Sequence, residues 1–358
     1  MDPCPQAARE CPVPEPAISV IVMNYNGAPW LERCVESLRR QTVADRIEVI
    51  VADNASPDHS GKLAEKLMAD WTRGRVLWYG DNLGYAAGNN RGAQWACGRY
   101  LLFLNHDTWL EPDCLERLLQ AMEISGAGAA TPLVLDYTDD QMQSAGESGF
   151  DVFGLLCGPT DWSRQQEVLV ANGPALLVER TLFEKVGGFD DTFFMYAEEY
   201  DLCWRIWLAG SRVILVPSAR VHHRGAASVN PSGGTEMSEN RTSDTKRFYA
   251  NRNNLLVLLK NSRNVLLLMV PLQLLLLAVE TLITGVVTRR GSHVRRAYLD
   301  VIADCWRLRA HIFAERRRLR HFRRHGDFWM LRFLRPRLNR WREFQRLKRF
   351  GLLKVDAK

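Results

Sequence analysis

Three carboxylates lie close together in the densest polar cluster of this sequence. Glu198, Glu199 and Asp201 occupy a segment rich in aromatic residues that runs from Gly187 to Arg205. Carboxylates this close raise one another's pKa, and partial burial among apolar neighbours raises it further. Such a group is suited to remove a proton from a hydroxyl, so the cluster predicts a general base. A solvated acidic helix start, or an ordinary i,i+4 ion pair between Asp201 and Arg205, remains the alternative.

An acidic position also follows the apolar run 99–104, in the tripeptide Asn105-His106-Asp107. A hard divalent cation that bridges a diphosphate needs carboxylate oxygens on short, rigid backbone. Asp107 can supply such an oxygen, and Asn105 could contact either the metal or a ribose. The simpler interpretation is an aspartate that caps the following turn.

Two adjacent histidines, His222 and His223, follow another apolar run at 213–216. Neutral imidazole is a good ligand for Mn²⁺-like ions, although a histidine on such a segment is more often structural. Neighbouring side chains of an extended segment point to opposite faces. We therefore expect at most one of the two histidines to reach a metal site.

Polar residues follow two more apolar runs near the start of the chain. Asn24 and Tyr25 come after the first run, and Asp53 and Asn54 come after the second. A carboxylate can accept hydrogen bonds from a nucleobase or a ribose, and an amide can both donate and accept. These side chains are therefore candidates for binding a nucleotide. Alternatively, Asp53 only caps the following helix together with Ser56.

Glycine and asparagine are concentrated in the segment 82–92. Gly84 and Gly88 allow a close approach of the backbone, and a helix N-terminus there would favour an anionic ligand. Asn82 and Gly84 are therefore further candidates for binding a nucleotide, with a plain glycine-rich turn as the alternative. The segment matches neither a P-loop nor the pattern G-x-G-x-x-G, which excludes those two nucleotide-binding motifs.

These clusters require a framework of alternating strands and helices. Apolar runs predict strands at 18–23, 47–52, 76–79 and 99–104, with helical periodicity between them. That order indicates an α/β fold with a mostly parallel central sheet and right-handed crossovers. Ligands of such sheets bind beyond the carboxyl ends of the strands. The polar clusters at strand ends therefore predict one nucleotide-sized site.

Charge is divided unevenly along this chain of 358 residues. The formal net charge is +6, but residues 289–350 carry 20 Arg and Lys against 5 Asp and Glu, whereas residues 1–288 are net acidic. A Leu- and Val-rich segment at 264–288 precedes the basic part, and its uncharged run is shorter than the ~20 residues that cross a bilayer. We expect residues 255–358 to form a helical extension, apolar and then Arg-rich, that lies on an anionic membrane surface rather than crossing it.

Composition narrows the class of protein further. With 46% hydrophobic and 25% charged residues, the chain is neither disordered throughout nor a polytopic membrane protein. Residues 1–16 are rich in proline, which predicts a flexible leader, and they lack the apolar stretch of a secretory signal. The eight cysteines show no metal-binding spacing, which favours free thiols. We expect a cytoplasmic protein associated with the inner face of the cell membrane.

In their order along the chain, these segments resemble the family 2 glycosyltransferases with the GT-A fold, in particular the bacterial rhamnosyltransferase-like branch. The resemblance covers about residues 17–260. It implies a GT-A domain at 17–254, Rossmann-like in its nucleotide-binding part, with the helical extension after it. The segments that resemble the family are 18–27, 51–56, 82–92, 104–108, 187–205, 217–228 and Arg252-Asn253-Asn254.

The family implies an inverting transfer of a sugar from a nucleoside diphosphate, either dTDP-rhamnose or a UDP-sugar, to a hydroxyl of a glycan or lipid-linked acceptor. It also implies a divalent metal, Mg²⁺ or Mn²⁺. By resemblance, Glu199 is the catalytic base, and Glu198 and Asp201 are its competitors. Asp107 and His223 are the implied metal ligands. The implied substrate-binding residues are Asn24, Tyr25, Asp53, Asn54, Asn82, Gly84, Asn105 and Asn172.

The chain departs from the family pattern at two positions. Asn105 stands where such enzymes carry the first aspartate of D-x-D, which leaves Asp107 as the metal-binding acid. Glu199 stands where relatives usually have Asp in a Glu-Asp pair, and its extra methylene moves the carboxylate by about 1 Å. The spacing to the residues that follow favours His223 over His222.

Three other functions compete with sugar transfer. A nucleotidyltransferase also binds a nucleotide on an α/β sheet, but the loop 24–27 lacks the Gly-rich activation segment with Arg or Lys that such an enzyme needs. A catalytically inactive scaffold that binds a sugar nucleotide is the second alternative. Arg and aromatic residues together also bind single-stranded nucleic acid, but the Leu-rich segment before the basic part favours lipid, so no nucleic acid is expected.

Overall fold

The computed structural model describes residues 14–225, 241–289, 291–339 and 354–356. Most of the predicted leader at 1–16 lies outside the described residues. The basic part is described from residue 291 to residue 339, and most of the chain after residue 339 is not. Within the described residues, the strands are β1 (Ile18–Asn24), β2 (Ile47–Asp53), β3 (Gly74–Trp78), β4 (Tyr100–Asn105), β5 (Thr108–Leu110), β6 (Ala129–Asp136), β7 (Met142–Ser144), β8 (Gly149–Phe150), β9 (Leu156–Cys157), β10 (Gln166–Glu167), β11 (Ala175–Glu179), β12 (Val213–His223), β13 (Arg241–Ser243) and β14 (Lys354–Asp356). The α-helices are α1 (Leu31–Arg39), α2 (Ser60–Met68), α3 (Gly84–Ala93), α4 (Cys114–Ser125), α5 (Arg180–Val186), α6 (Glu198–Leu208), α7 (Asp244–Asn261), α8 (Met269–Thr288), α9 (Gly291–Val294), α10 (Asp300–Arg307), α11 (Arg309–Leu319) and α12 (Asp327–Met330).

A central sheet positions the polar clusters. Its strands follow the order β10-β12-β6-β11-β4-β1-β2-β3, with β5 beside β12 and β7 beside β6. Strands β3, β2, β1 and β4 pair in parallel, and β11 runs antiparallel between β4 and β6. The predicted α/β fold with a mostly parallel sheet is confirmed. In register, Asn24 pairs with Asp53 and Met23 pairs with Asn105, so the polar strand ends lie side by side.

The parallel strands are covered on both faces, which explains their apolar sequences. Every residue of β1 and β2 is buried. Alternate residues point to opposite faces, so Ile21 packs in one hydrophobic cluster while Val20 and Val22 pack in the other. The helical spacing predicted after β1 is observed in α1, whose buried residues include Leu31, Cys34, Val35 and Leu38.

The helices after residue 255 pack against the sheet domain. The predicted boundary between residues 254 and 255 falls inside α7, which continues without a break to Asn261. Val301 of α10, Ile312 of α11 and Met330 of α12 are buried in the same hydrophobic cluster as Trp204 of α6. The C-terminal helices therefore share a core with the sheet domain.

Helix α8 has two different faces. The segment Val265–Val286 is long and apolar enough to cross a membrane by length and composition alone, and 22% of its most apolar window is buried inside the protein. Gln273 and Leu277 are buried against the neighbouring helices, whereas Leu275 and Leu282 are exposed. One side of α8 therefore packs on the protein, and the other is an exposed apolar surface.

Cysteine pairing differs from the prediction at one position. Cys97 is disulfide-bonded, so the prediction of free thiols is wrong there. The other five cysteines in the described part of the chain are free and buried: Cys34, Cys114, Cys157, Cys203 and Cys305. Spacing along the sequence could not reveal this difference, because folding decides which thiols meet.

Candidate active site

A cavity of about 340 Å³ lies at the carboxyl ends of β1, β2 and β4. This is the edge at which a parallel sheet binds its ligands. Nine of the residues predicted to form the site line it. The lining residues are Met23, Tyr25, Asn54, Asn82, Gly84, Tyr85, Asn105, His106, Asp107, Gly173, Pro174, Met195, Tyr196, Glu198, Glu199, His223 and Lys246.

An acidic pair at the start of α6 forms one wall of the cavity. Burial raises the pKa of Glu198 well above its ordinary value, and the charge of Glu199 adds to the effect. Burial also raises the pKa of Glu199. Among the described residues, Oε2 of Glu198 has no hydrogen-bond partner. A carboxyl group of raised pKa binds a proton more tightly than an ordinary one, which is what a general base requires.

A turn of unusual backbone conformation precedes this acidic pair. Phe194, Tyr196 and Ala197 all have positive φ angles, between 59° and 68°. Each such residue costs about 1–3 kcal/mol, and such conformations persist where the surroundings enforce them. The carbonyl of Phe194 accepts a hydrogen bond of 2.6 Å from the backbone N–H of Tyr85. The turn thereby joins the acidic pair to the start of α3.

Asp107 and His223 face each other across another part of the cavity. Nε2 of His223 lies 3.4 Å from Oδ1 of Asp107. Burial alone would raise the pKa of Asp107, but the neighbouring His223 lowers it to about 2, so the carboxylate is charged at neutral pH. On the far side of the ring, Nδ1 of His223 lies 2.7 Å from Oε1 of Gln143. The contact with Gln143 orients the ring so that Nε2 is directed toward Asp107.

The chemistry of this pair fits a divalent cation. A buried carboxylate and an imidazole that is oriented by a second hydrogen bond are common ligands of Mn²⁺-like ions. No group of three or more His, Cys, Asp or Glu side chains converges within the described residues. Asp107 and His223 would therefore supply only two ligands, and phosphate and water oxygens would complete the coordination.

His222 points away from the cavity. Its ring stacks on Trp109 at 3.6 Å between centroids, and Nδ1 lies 3.0 Å from the carbonyl oxygen of Asp136. Strand β12 extends through His223, beyond the predicted run 213–216. Because that part of the strand is extended, the two histidines occupy opposite faces, as the sequence predicts.

The asparagine and glycine segment closes another side of the cavity. Nδ2 of Asn54 donates to Oδ1 of Asn82 at 2.9 Å, and Oδ1 of Asn54 accepts from the backbone N–H of Leu83 at 2.8 Å. Gly84 has a φ of +78°, and a Cβ atom there would lie 2.5 Å from the carbonyl oxygen of Phe194. Both the conformation and the close approach require glycine at this position.

Asn24 and Asp53 are buried and bind each other. Nδ2 of Asn24 donates to Oδ1 of Asp53 at 2.6 Å, and the backbone N–H of Ser56 donates to Oδ2 of Asp53 at 3.1 Å. Neither residue lines the cavity. The helix cap that was the alternative for Asp53 does not form, because α2 begins at Ser60 and no side chain caps it. The contact between Asp53 and Ser56 lies in the loop before that helix, so Asn24 and Asp53 hold together the strand ends next to Tyr25 and Asn54.

Two further predicted site residues lie away from the cavity lining. The side chain of Asn172 hydrogen-bonds to the backbone: its Nδ2 donates to the carbonyl of Pro132 at 2.9 Å. Asp201 is fully buried. Burial would raise its pKa, but Arg205 at 2.8 Å and Lys260 at 3.0 Å lower it. The i,i+4 ion pair therefore accounts for Asp201, which is held as a charged group away from the acidic pair.

Sequence reasoning missed several residues of the site, and Tyr85, Lys246 and Gln143 are the polar ones among them that make the contacts described here. Tyr85 lines the cavity and donates from its hydroxyl to the carbonyl of Gly173 at 2.9 Å. Lys246, in the first turn of α7, also lines the cavity. Gln143 contacts His223 from β7, in a part of the chain without clear periodicity. Tyr85 lies in the segment 82–92 that the sequence singles out, but its side chain was not among the candidates. No local pattern marks Lys246 or Gln143, because each reaches the site from a distant segment.

Comparison with known proteins agrees with this architecture. The family model "Glycosyl transferase family 2" matches residues 19–202. A Mycobacterium tuberculosis protein, N-acetylglucosaminyl-diphospho-decaprenol L-rhamnosyltransferase, is 31% identical over 265 residues, which are 66% of this chain and 84% of the relative. Glycosyltransferase GlyG of Streptococcus pneumoniae is 34% identical over 208 residues, or 56% of this chain and 67% of the relative.

Solved structures share the fold at low sequence identity. S. aureus TarS 1–349 in complex with UDP-GlcNAc aligns with a TM-score of 0.55 and 14% identity, covering 80% of each chain. GalNAc-T7 with UDP, GalNAc and Mn²⁺ aligns with a TM-score of 0.52 and 20% identity, covering 58% of this chain and 43% of the other. These alignments confirm the predicted GT-A fold.

Proposed function

The chain belongs to glycosyl transferase family 2 and is a glycosyltransferase, and we propose that it inverts the anomeric configuration as it moves a sugar from a nucleoside diphosphate to an acceptor hydroxyl. One observation supports this most directly: Glu199 and Asp107 line the same cavity at the ends of parallel strands. Such a transfer needs a base for the acceptor and an anchor for the charged diphosphate.

Glu199 acts as the base in this mechanism. Its carboxylate accepts the proton of the acceptor hydroxyl while the hydroxyl oxygen attacks the anomeric carbon. The attack comes from the face opposite the diphosphate, so the new glycosidic bond forms as the bond to the diphosphate oxygen breaks. Glu198 is the alternative base, because its carboxylate is also buried in the cavity wall with a raised pKa.

Asp107 and His223 would hold Mg²⁺ or Mn²⁺ next to the diphosphate end of the donor. When bound, the ion offsets the negative charge that grows on the leaving diphosphate. Lys246 lines the same cavity and brings a positive charge to it. Tyr25, Asn54, Asn82 and Asn105 bind the nucleoside from the strand ends.

The donor and acceptor are proposed from the relatives. The name of the M. tuberculosis relative specifies an L-rhamnosyltransferase and an N-acetylglucosaminyl-diphospho-decaprenol acceptor. This supports dTDP-rhamnose as donor and a lipid-linked glycan as acceptor. The UDP-GlcNAc complex of TarS makes a UDP-sugar the second candidate. A lipid-linked acceptor places the reaction at the inner face of the cell membrane, in synthesis of a cell envelope polysaccharide.

The exposed face of α8 supports a membrane-bound acceptor. Its apolar side chains recur every three or four residues and are between 41% and 76% exposed. A helix that packs on the protein with one face and exposes apolar residues on the other is suited to lie in the headgroup region of a bilayer. Basic residues that follow α8 would contact anionic lipids. This outer face includes Leu272, Leu275, Val279, Leu282 and Val286 of α8, and Leu268 directly before the helix.

A donor screen tests the proposed function. The purified full chain is incubated with dTDP-rhamnose, UDP-GlcNAc and other nucleotide sugars, with lipid-linked N-acetylglucosamine as acceptor, in Mn²⁺, Mg²⁺ or EDTA. Release of nucleoside diphosphate and formation of a glycosylated lipid are measured. We expect one donor to be used in the presence of metal and turnover to stop in EDTA.

The same screen separates the alternatives. Binding of a nucleotide sugar without turnover would indicate an inactive scaffold. In a parallel incubation with a nucleoside triphosphate and a sugar phosphate, release of pyrophosphate would indicate a nucleotidyltransferase. Retention of the donor's anomeric configuration in the product, read by NMR, would contradict the inverting mechanism.

A further inference from the structure

One buried side chain of α7 holds the turn that precedes the acidic pair. Asn253 is fully buried. Its Nδ2 lies 3.0 Å from the carbonyl oxygen of Phe193, 2.8 Å from that of Met195 and 2.6 Å from that of Tyr196. Three carbonyl groups of one short turn therefore converge on a single amide.

This turn needs such a partner because its backbone is strained. Phe194, Tyr196 and Ala197 adopt positive φ angles, which residues other than glycine rarely do. Carbonyl groups that turn inward into a buried site also require donors. The two N–H bonds of Asn253, together with Arg252 at the carbonyl of Phe193, supply them. The residues directly after the turn are Glu198 and Glu199. Any movement of the turn would shift both carboxylates.

Arg252 orients the amide of Asn253. Nε of Arg252 donates to Oδ1 of Asn253 at 2.9 Å, so the oxygen of the amide faces Arg252 and its nitrogen faces the turn. Nη2 of Arg252 also donates to the carbonyl of Phe193 at 3.2 Å. On the other side, Nη1 pairs with Oδ2 of Asp304 at 2.9 Å. Asp304 belongs to α10, so one of the C-terminal helices anchors this arginine.

We propose that Asn253 is a positioning residue for the catalytic base, and that Asp304 and Arg252 fix Asn253 in the orientation this task requires. The C-terminal helices thereby help to set the geometry of the active site. The inference rests on the proposed function, because it assumes that the base is one of the two carboxylates after the turn. It assigns to Asp304, which lies outside the cavity, a measurable influence on turnover.

The main test is Asn253→Asp. The substitution keeps the shape of the side chain but replaces the donating nitrogen with an oxygen that faces three carbonyl oxygens. A misplacement of about 1 Å costs about 100-fold in rate, so we expect kcat to fall roughly 100-fold. KM for the donor should stay within about threefold, because the residues proposed to bind the nucleotide are unchanged. Activity is measured with the donor and acceptor identified by the screen above.

Asn254→Asp is the matched control. Asn254 is the next residue of the same helix, and its Nδ2 donates to the carbonyl of Ala250 within α7. The same exchange of an amide for a carboxylate at Asn254 should leave both kcat and KM close to wild type. Thermal unfolding and binding of UDP and dTDP by calorimetry are measured for each variant, so that a loss of folding is recognised.

Asp304→Asn is a second variant that preserves the fold more safely, because Asp304 is partly exposed. It weakens the hold on Arg252 without touching the turn, and we expect kcat to fall three- to tenfold with KM and melting temperature unchanged. The inference is overturned if Asn253→Asp and Asp304→Asn keep wild-type kcat, or if they lower kcat only in proportion to a loss of folded protein. If the wild-type chain and Asn254→Asp turn over no donor, the proposed function fails as well.

Discussion

At the scale of single residues, the two acidic side chains at the start of α6 decide whether the cavity can do chemistry. Their raised pKa values result from burial, which disfavours the charged form that a base must adopt. A buried, charged carboxylate destabilises the folded protein, and its raised pKa makes it a stronger base than an exposed carboxylate. Removing the charge should therefore stabilise the fold and abolish the reaction.

Glu199→Gln is expected to lower kcat by roughly 10²–10⁴-fold, the range that a general base contributes. The amide has the same shape but cannot accept the acceptor's proton. Glu198→Gln is the matched comparison, because it removes the neighbouring carboxylate from the same helix turn. Turnover by Glu199→Gln at the wild-type rate, together with loss of activity in Glu198→Gln, would move the base to Glu198.

The raised pKa of the acidic pair predicts how the stability and the rate of the enzyme change with pH. A carboxyl group whose pKa is raised in the folded state binds its proton more tightly there than in the unfolded chain, so stability falls as pH rises from about 4.5 through the raised pKa. At pH 8, Glu198→Gln should therefore melt at a higher temperature than wild type, and the difference should vanish near pH 4. The wild-type rate should fall as pH drops below the raised pKa, since the base becomes protonated.

His223→Ala and His222→Ala separate the metal ligand from its neighbour. His223 faces Asp107, whereas His222 stacks on Trp109. We expect His223→Ala to weaken Mn²⁺ binding, measured by calorimetry in the presence of UDP or dTDP, by at least about tenfold. His222→Ala should keep Mn²⁺ binding and lose only stability. Equal Mn²⁺ affinity in both variants and wild type would remove His223 from the metal site.

At the scale of elements, α8 has two faces of different environment. Its inner face is buried against the neighbouring helices, and its outer face is the apolar stripe of exposed Leu and Val residues. A soluble surface helix normally shows the opposite pattern, with polar residues outward. The exposed stripe therefore calls for a partner, and the proposed partner is the bilayer that holds the acceptor.

The double variant Leu275→Glu and Leu282→Glu tests that partner. Burial of one Leu side chain contributes about 1.5–3 kcal/mol, so the double variant should bind vesicles of phosphatidylcholine and phosphatidylglycerol at least 100-fold more weakly in cosedimentation. Ile124→Glu is the control, because Ile124 is 86% exposed on α4, away from the stripe. Unchanged vesicle binding by the double variant would argue against membrane docking through α8.

At the scale of the whole molecule, a buried charge network joins the C-terminal helices to the sheet domain. Lys260 of α7 contacts both Asp190 and Asp201, and Nε2 of His311, on α11, lies 2.8 Å from Oδ2 of Asp190. Burial would raise the pKa of Asp190, but His311 and Lys260 lower it. Buried charges of this kind are costly unless paired, so the helices after residue 255 are needed to complete the domain.

His311→Gln should reveal this connection through pH. The hydrogen bond to Asp190 raises the pKa of His311. Its stabilising effect is therefore complete below the unfolded pKa of about 6.5 and is lost as pH rises through the folded value. In urea unfolding at pH 5.5, we expect wild type to exceed His311→Gln by about 1 kcal/mol, and the gap to shrink at pH 9.

The exposed His321 provides the control for this measurement. His321→Gln should change the free energy of unfolding little at either pH. A gap between wild type and His311→Gln that is the same at both pH values would mean that the contact with Asp190 is not a charged pair.

Local sequence patterns predicted many of the strands and helices, because the formation of a strand or helix depends largely on residues close together in the sequence. The runs that became β1 and β2 are apolar and rich in β-branched residues, the run that became β4 is apolar, and the helical spacing predicted after the first run is found in α1. The same patterns failed between β6 and β11, where very short strands alternate with turns. Gln143 lies in that stretch, and its contact with His223 spans 80 positions of sequence.

The sequence by itself determined the order of strands and helices, the polar strand ends and the family, because hydrophobic periodicity and residue type are local properties of the chain. Only the tertiary structure decided that Asp53 and Asn24 bind each other, that Asp201 is held by Lys260, and that Asn253 contacts the turn before Glu198. The physical reason is that each of these hydrogen bonds and ion pairs joins residues far apart in sequence. Burial then decides which polar groups support the cavity and which are left to act in it.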